Sequence, residues 1–336
     1  MSAQPRNVDA IIKYNGKEID LDVTDISYTD NAEGNADDIS LTIHSSPRDT
    51  FFVPEKESDV SVTMYFNRWK RQGSMPQRYH CGTFVLDDIS YSGSPNTLQL
   101  NAVAQPAGEG FTTVKRSRTW ENITLKGITE AIIAQYGIER SLYYYAPDIN
   151  IPSIEQNDET DSSFLKTICD KYDLCIKMYK TILIVFSWEI FEQIFGACEE
   201  FTIEDMDSFQ WNTTVNGTYT GAHLKYTTKA TSKKAAQTIE VTVGTGPRML
   251  ELTDKVESET EARELARQKV NAENMKATTL SFSLMANPMI YASYKIRIVN
   301  SGRMNGEYMV TKVTHSLSST SGESSTIECY KRFARL

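Results

Sequence analysis

The sequence predicts a mainly β fold carrying an α/β insert. Three observations support this. Apolar and polar residues alternate with period two across residues 8–115 and again from about residue 209 to 332. Turn formers punctuate both stretches, and a helix-to-strand switch interrupts them within residues 154–186. At 336 residues the chain exceeds one ordinary core, so two or three domains are expected. The reading is a first β domain at residues 1–115, an α/β insert at 116–199, and a second β domain at 200–336 with one helix at about 258–274.

In order, residues 8–14 form a strand that turns at Asn15-Gly16, a strong two-residue hairpin signal. Residues 19–28 alternate, with a shift before Ile26, and residues 29–37 read as a polar turn. Strands follow at 39–43, 60–66, 79–89 and 97–104, with turn formers at 90–96. Short strands joined by polar turns suit a barrel or a sandwich.

The character changes at residues 115–148. Thr124 is a plausible N-cap, and Leu125, Ile128, Ile132, Ile133 and Tyr136 share one helical face ahead of Gly137, a left-handed stop. A short strand is expected at 142–145. An acidic, polar loop then leads into a helix capped by Asp161 or Ser162, whose buried face holds Phe164, Leu165, Ile168, Cys169 and Tyr172. Residues 176–186 read as a hairpin with a Tyr-Lys-Thr turn, and 188–198 have no clear assignment.

Strands return at 209–216 and 221–228, flanking a turn at Asn216-Gly217, and at 237–243. Ser258 and Glu261 form a capping box for a helix whose face holds Ala262, Leu265, Ala266, Val270 and the stem of Lys269. Four more strands are expected at 278–284, 294–300, 306–316 and 325–332.

Composition narrows the function. With 40% hydrophobic and 24% charged residues the chain matches soluble globular proteins. Its longest apolar run, residues 182–186, is far below the ~20 residues of a membrane span. The first ten residues lack a basic region followed by an apolar core, so no secretory signal is expected. Five scattered cysteines suit free thiols in a reducing cytoplasm. A net charge of −9 disfavours binding nucleic acid through its phosphates. The basic runs at 68–71 and 115–118 are short and read as solvated or interfacial loops.

Candidate chemistry is sparse. His44, His80, His223 and His315 lie far apart, without a second metal-type ligand at regular spacing. His80 and Cys81 would point to opposite faces of a strand, which does not suit a catalytic dyad. Cys169 lies on an apolar helix face and reads as a small core residue, with Cys175 beyond the helix end. Glu155, Asp158, Glu159 and Asp161 cluster in one loop and could supply a glycosidase pair, but capping and solvation explain them more simply. Asp87-Asp88 reads the same way. Gly244-Thr-Gly-Pro-Arg248 lacks the Gly-Lys-Ser/Thr of a phosphate loop. No catalytic, cofactor-binding or metal residue is assigned, and no cofactor is expected.

Five segments in fixed order carry a resemblance: Cys81-Gly-Thr-Phe-Val-Leu-Asp-Asp-Ile-Ser-Tyr-Ser-Gly-Ser-Pro with the strand after it, Lys115-Arg-Ser-Arg-Thr-Trp-Glu-Asn-Ile-Thr-Leu, Ile154-Glu-Gln-Asn-Asp-Glu-Thr-Asp-Ser-Ser-Phe-Leu, and Gly306-Glu-Tyr-Met-Val-Thr-Lys-Val-Thr-His-Ser. Together they resemble the phage late control protein D family, the baseplate hub proteins of contractile tails. The resemblance spans residues 9–332 and implies a structural protein without catalytic or metal residues. It implies two tube-like β-barrels joined by a small two-helix α/β domain, and three copies forming a ring between the sixfold tail tube and the threefold central spike. The implied partners are the tube protein, the spike, other baseplate subunits and the tape measure protein, with no specific nucleic-acid binding and no membrane insertion. The implied place is the baseplate of a phage or phage-tail-like bacteriocin assembled in the bacterial cytoplasm.

The alternative is a peptidoglycan-degrading tail enzyme using the acidic loop 155–161, which wall lysis dependent on Glu155 and Asp158 would reveal. A hub fused to a spike-like needle would call for a repetitive β-helix after the last strand, where the sequence ends at Leu336.

Overall fold

The computed structural model describes residues 7–19, 22–34, 36–44, 54–67, 77–93, 96–104, 110–136, 142–179, 182–194, 196, 199–227, 237–256 and 258–336. Strands dominate. The first region holds β1 (Asn7–Tyr14), β2 (Lys17–Ile19), β3 (Val23–Asn31), β4 (Asp38–His44), β5 (Asp59–Asn67), β6 (Gln77–Ser92) and β7 (Thr97–Val103). The insert holds β8 (Lys115–Thr124), α1 (Leu125–Ala134), β9 (Leu142–Tyr145), β10 (Asn150–Thr160), α2 (Asp161–Lys171), β11 (Cys175–Tyr179), β12 (Ile182–Phe186) and α3 (Trp188–Ile194). Next come β13 (Glu199–Phe201), β14 (Ser208–Thr213), β15 (Gly221–Thr227), β16 (Thr238–Gly244), β17 (Met249–Leu252) and α4 (Glu259–Met275). The chain closes with β18 (Thr278–Met285), β19 (Lys295–Ile298), β20 (Gly306–Ser318) and β21 (Gly322–Lys331).

One 13-stranded sheet unites the first and last regions, in the order β14-β18-β21-β20-β3-β4-β7-β6-β5-β1-β2, with β19 also on β20 and β13 on β19. The seam is the antiparallel pair β3–β20, where Tyr28 faces His315 and Ser27 faces Ser316. Among the described residues this pairing leaves β14 and β2 as ends and closes no barrel. The alternation read from the sequence is the alternation of burial. Val60, Val62, Met64 and Phe66 of β5 are all buried between half-exposed Ser61, Thr63 and Tyr65. Asn15 and Gly16 both take positive φ, 47° and 77°, as a hairpin turn matching strand twist requires.

Local chemistry sets the helices. The Thr124 hydroxyl accepts from the Gly127 N–H at 3.1 Å to start α1, and the Ser258 hydroxyl accepts from the Glu261 N–H at 3.1 Å to start α4. α1, α2 and the sheet β11-β12-β9 enclose the insert core, with Leu125, Ile128, Phe164, Leu165 and Ile168 at its centre. α4 lays Ala262, Ala266 and Val270 on a separate sheet, β16-β15-β17. A further cluster spans three regions: Ala32 follows β3, Cys175, Phe186, Trp188 and Phe191 come from the insert, and Met309 and Tyr330 from β20 and β21.

Several expectations need correction. The acidic stretch before α2 and the basic run at 115–118 are strands, β10 and β8, paired antiparallel with Gln156 opposite Arg118 and Glu159 opposite Arg116. Their outward residues are polar on both strands, so little apolar alternation announced them. Thr160 caps α2, its hydroxyl accepting from Ser163 N–H at 3.3 Å, because Asp161 is turned inward to two arginines. Residues 19–28 divide between β2 and β3, β3 runs on to Asn31, and β6 runs on to Ser92. The unassigned stretch after Ser187 begins with α3, and β13 and β17 are additional strands. β14 and β15 flank the Asn216-Gly217 turn but join different sheets. Gly137 and the basic run at 68–71 lie outside the described residues.

Candidate functional site

The unusual chemistry of this chain sits where the insert meets the main sheet. Three polar links cross that boundary, two of them between buried charges and one from the exposed Glu33 to buried partners. Lys177 on β11 reaches the carboxylates of Asp30 on β3 and Asp37 beside β4, and the three side chains are 8%, 4% and 2% exposed. The Asp37 carboxylate also accepts from the Asn31 N–H at 2.9 Å, and Asp30 accepts from the Ala292 N–H at 2.9 Å. Burial, then repulsion from Asp30, pushes the Asp37 carboxyl up to about 7 against the pull of Lys177. Burial alone would lower the Lys177 ammonium, yet the two carboxylates hold it above its ordinary value.

Glu33 forms the second link, accepting from the Trp188 indole N–H at 3.0 Å and from the Cys175 thiol. The third joins α3 to β21 and the residues after it. Glu192, 4% exposed, accepts from Tyr330 at 2.7 Å and from Arg335 at 2.6 Å. Removing either partner of the Lys177 or Glu192 pair leaves a buried charge uncompensated, so these two links favour one placement of the insert on the sheet. Aromatic packing reinforces them: Phe191 stacks on Phe186 at 4.3 Å, and Trp188 meets Phe186 and Tyr330 edge-on at 5.2 and 5.5 Å.

The four carboxylates singled out from sequence take different roles. Glu155 and Asp158 are exposed on β10, Asp158 pairing with Lys115 at 3.2 Å across β8. Glu159 is half-buried opposite Arg116. Asp161 is fully buried and bound by Arg118, by Arg116 at 3.4 Å, by Tyr136 at 2.6 Å and by Gln156 at 2.8 Å. Burial would raise its pKa, but the hydrogen bonds from Tyr136, Gln156 and Arg118 and the Arg118 charge hold it below the ordinary carboxylate range. A carboxylate so engaged braces the insert rather than moving a proton.

The histidines remain dispersed. His44 pairs with Asp22 at 3.7 Å, His80 contacts the Thr63 hydroxyl at 2.9 Å, and His223 lies between Glu240 and Glu251 on an open face. His315 is buried at the seam, stacked on Tyr28, and burial lowers its pKa to about 4, so it is neutral. His80 is exposed and Cys81 buried, as opposite faces of β6 require. Cys169 is core, its thiol pushed up to about 12 by burial. Among the described residues no group of three His, Cys, Asp or Glu side chains could hold a metal, and no helix is long and apolar enough to cross a membrane. Sequence reading missed Lys177, Asp30, Asp37, Glu33, Glu192 and Arg335. One signal was available: Lys177 interrupts the apolar strand Cys175-Ile-Lys-Met-Tyr179.

Comparison with known proteins bears out the resemblance. No family model matches the chain. It is 27% identical to the probable baseplate hub protein of Escherichia phage P2 over 105 residues, 31% of this chain and 27% of that protein. It is 23% identical to the probable baseplate hub protein of Escherichia phage 186 over 230 residues, 64% of this chain and 58% of that protein. The matches thus span less than two thirds of either curated relative. Among solved structures, the 43 kDa tail protein of prophage MuSo2 from Shewanella oneidensis superposes with a TM-score of 0.75 at 12% identity, over 97% of this chain and 98% of that one. A tail protein from Neisseria meningitidis MC58 gives 0.70 at 10% identity, over 97% and 96%. An Escherichia coli type VI secretion component described as similar to bacteriophage T4 tail proteins gives 0.61 at 12% identity, over 97% and 79%. At such identities the structural likeness establishes the fold: that of phage tail and type VI tail proteins.

Proposed function

We propose that this chain is a structural baseplate hub of a contractile tail or related injection machine. The observation that carries the reading is a tail-protein fold over 97% of the chain together with curated relatives named as baseplate hubs. The chemistry agrees with a mechanical part: the buried charges of Lys177, Asp30, Asp37, Glu192 and Arg335 link the insert to the main sheet. In this reading the chain acts as a trimer. A tail tube is sixfold and a central spike threefold, so two tube-like β regions per chain present six similar faces to the tube and three contacts to the spike. The regions at residues 1–115 and 200–336 would be those barrel-like halves, with 116–199 as the insert between them.

The partners in this reading are the tube protein, the spike, neighbouring baseplate subunits and the tape measure protein. Its place is the baseplate of a particle assembled in the bacterial cytoplasm. Strand edges at β14 and β2 that are unpaired among the described residues suit subunit contacts, since an open edge offers a ready ladder of N–H and C=O groups. A net charge of −9 suits a conduit whose lining repels DNA or anionic cargo. Light scattering of the chain, alone and with its cognate spike protein, tests the proposal. A trimer, or a monomer that trimerises with the spike, is expected; a stable monomer or dimer under both conditions overturns it.

A further inference from the structure

The first β region runs β3-β4-β7-β6-β5-β1, and β1 stands across a cleft of about 870 Å³ from β3. The end of the β20–β21 hairpin borders the same cleft. β2 covers only Ile12–Tyr14 of the outer β1 edge. Among the described residues, the edge at residues 7–11 therefore has no neighbouring strand.

The cleft has the form of a strand slot. The Val8 N–H points away from β5 into it, where the Glu323 carboxylate accepts it at 3.1 Å. Backbone groups two residues apart in a strand point the same way, so the Ala10 N–H and C=O face the slot too. Val8, Ala10, Val23 and Leu317 line it and are only half-buried against the core of the first β region.

Its charge is one-sided. Asp9, Glu18, Asp22, Asp25 and Glu323 line it, and among the described residues no lysine or arginine does. Asp9 accepts from the Asn67 amide at 2.6 Å, Asp25 from the Thr24 hydroxyl at 2.9 Å, and Asp22 meets His44 at 3.7 Å. Asp9 alternates with Val8 and Ala10, and Asp25 precedes the core residue Ile26, so both carboxylates lie toward the outer rim.

We propose that this slot takes an extended segment of a partner protein in which apolar and basic residues alternate. Its backbone pairs with the open edge of β1, and its apolar side chains cover Val8, Ala10, Val23 and Leu317. Its cations meet the carboxylates of the rim. The Glu323 carboxylate, displaced from the Val8 N–H by a strand carbonyl, becomes one more partner for a cation. Strand addition divides the labour in this way, the ladder giving affinity and alternate side chains specificity. The slot binds such a segment whether or not the chain serves as a hub, so either reading can fail without the other.

Fluorescence anisotropy of labelled acetyl-Lys-Val-Lys-Val-Lys-Val-Lys-amide with the full chain tests it. Saturable binding that weakens with added salt is expected. The peptide with glutamate in place of lysine should not bind, nor should the lysine peptide with N-methylated valines, which cannot pair with an edge. Ala10→Pro removes an outward N–H without touching the β5 ladder and should abolish binding. Asp9→Asn with Asp25→Asn should weaken it about fivefold. No saturable binding, or equal binding of the glutamate or N-methylated peptide, overturns the proposal. So does unchanged binding by a folded Ala10→Pro chain or by the Asn pair. Self-association that Ala10→Pro abolishes would put a second copy of this chain in the slot and overturn the choice of a foreign strand.

Discussion

The Lys177 ammonium lies 3.3 Å from the Asp37 carboxylate, and this contact crosses from the insert hairpin to the main sheet. Asp30 shares the same ammonium, so one cation serves two carboxylates that are each almost wholly buried. Lys177→Ala would leave both without this cation, each keeping one backbone N–H donor. A loss of about 3–5 kcal/mol is expected in urea unfolding, the scale for stripping one member from a buried ion pair. Adding Asp30→Asn and Asp37→Asn should recover most of it. A loss well under about 1 kcal/mol for Lys177→Ala alone would show that the junction is not held this way.

The same triad sets a pH dependence. Asp37 has its folded pKa raised from 3.8 to about 7, so the folded chain holds this proton more tightly than the unfolded chain. The Asp37 contribution is therefore greatest at acid pH and declines as pH rises from about 4 to about 7, then stays level. Asp37→Asn removes that slope. The stability difference between variant and parent should change by at most about 1.4 kcal/mol per pH unit inside the window and stay flat above it. Equilibrium unfolding from pH 5 to pH 8 measures this, and parallel curves across the window would contradict it.

Much of the fold was legible because its signals are local. Thr124 and Ser258 announce helices through one hydroxyl and one N–H three residues on, and β5 reads directly as a buried stripe. What could not be read is long-range. Nothing near Tyr28 indicates that it pairs with His315, so the merging of the first and last β regions into one sheet was invisible. The junction failed for the same reason: Asp30 and Lys177 are ordinary charged residues until the fold brings them together across 147 positions. Asp161 looked like a cap because capping is the local role of an aspartate. Two arginines 43 and 45 positions away claim it instead, and Thr160 takes the cap.

Asp161→Asn tests that assignment. The change keeps the shape but removes the charge that Arg116 and Arg118 surround, leaving both guanidinium groups partly buried with less to answer them. Each arginine still reaches water, so a cost at the lower end of the buried-pair range, about 2–3 kcal/mol, is expected. The sign with pH is opposite to that of Asp37. A carboxyl held below its ordinary pKa stabilises the fold at neutral pH and loses that contribution as pH falls below about 4. The Asn variant should thus approach the parent in acid, and a gap that is constant down to about pH 3 would count against the network.

The insert core gives the sharpest packing test. Phe164 is 2% exposed and lies in one cluster with Leu165, Ile168, Leu183 and Val185, so it anchors α2 in the insert core. Phe164→Asp would place an unpaired carboxylate there, where the desolvation cost amounts to several kcal/mol, and would delete a ring whose truncation alone costs about 3–5 kcal/mol. Phe164→Leu keeps the site apolar and should cost only about 1–2 kcal/mol. The two variants together separate burial from mere contact: thermal unfolding should rank parent, Leu and Asp in that order, with the Asp variant losing the insert at ordinary temperature. Because β11 carries Lys177, melting the insert should also release the link to Asp30 and Asp37. A Phe164→Asp chain that folds and melts like the parent would refute the packing of α2 in the insert core.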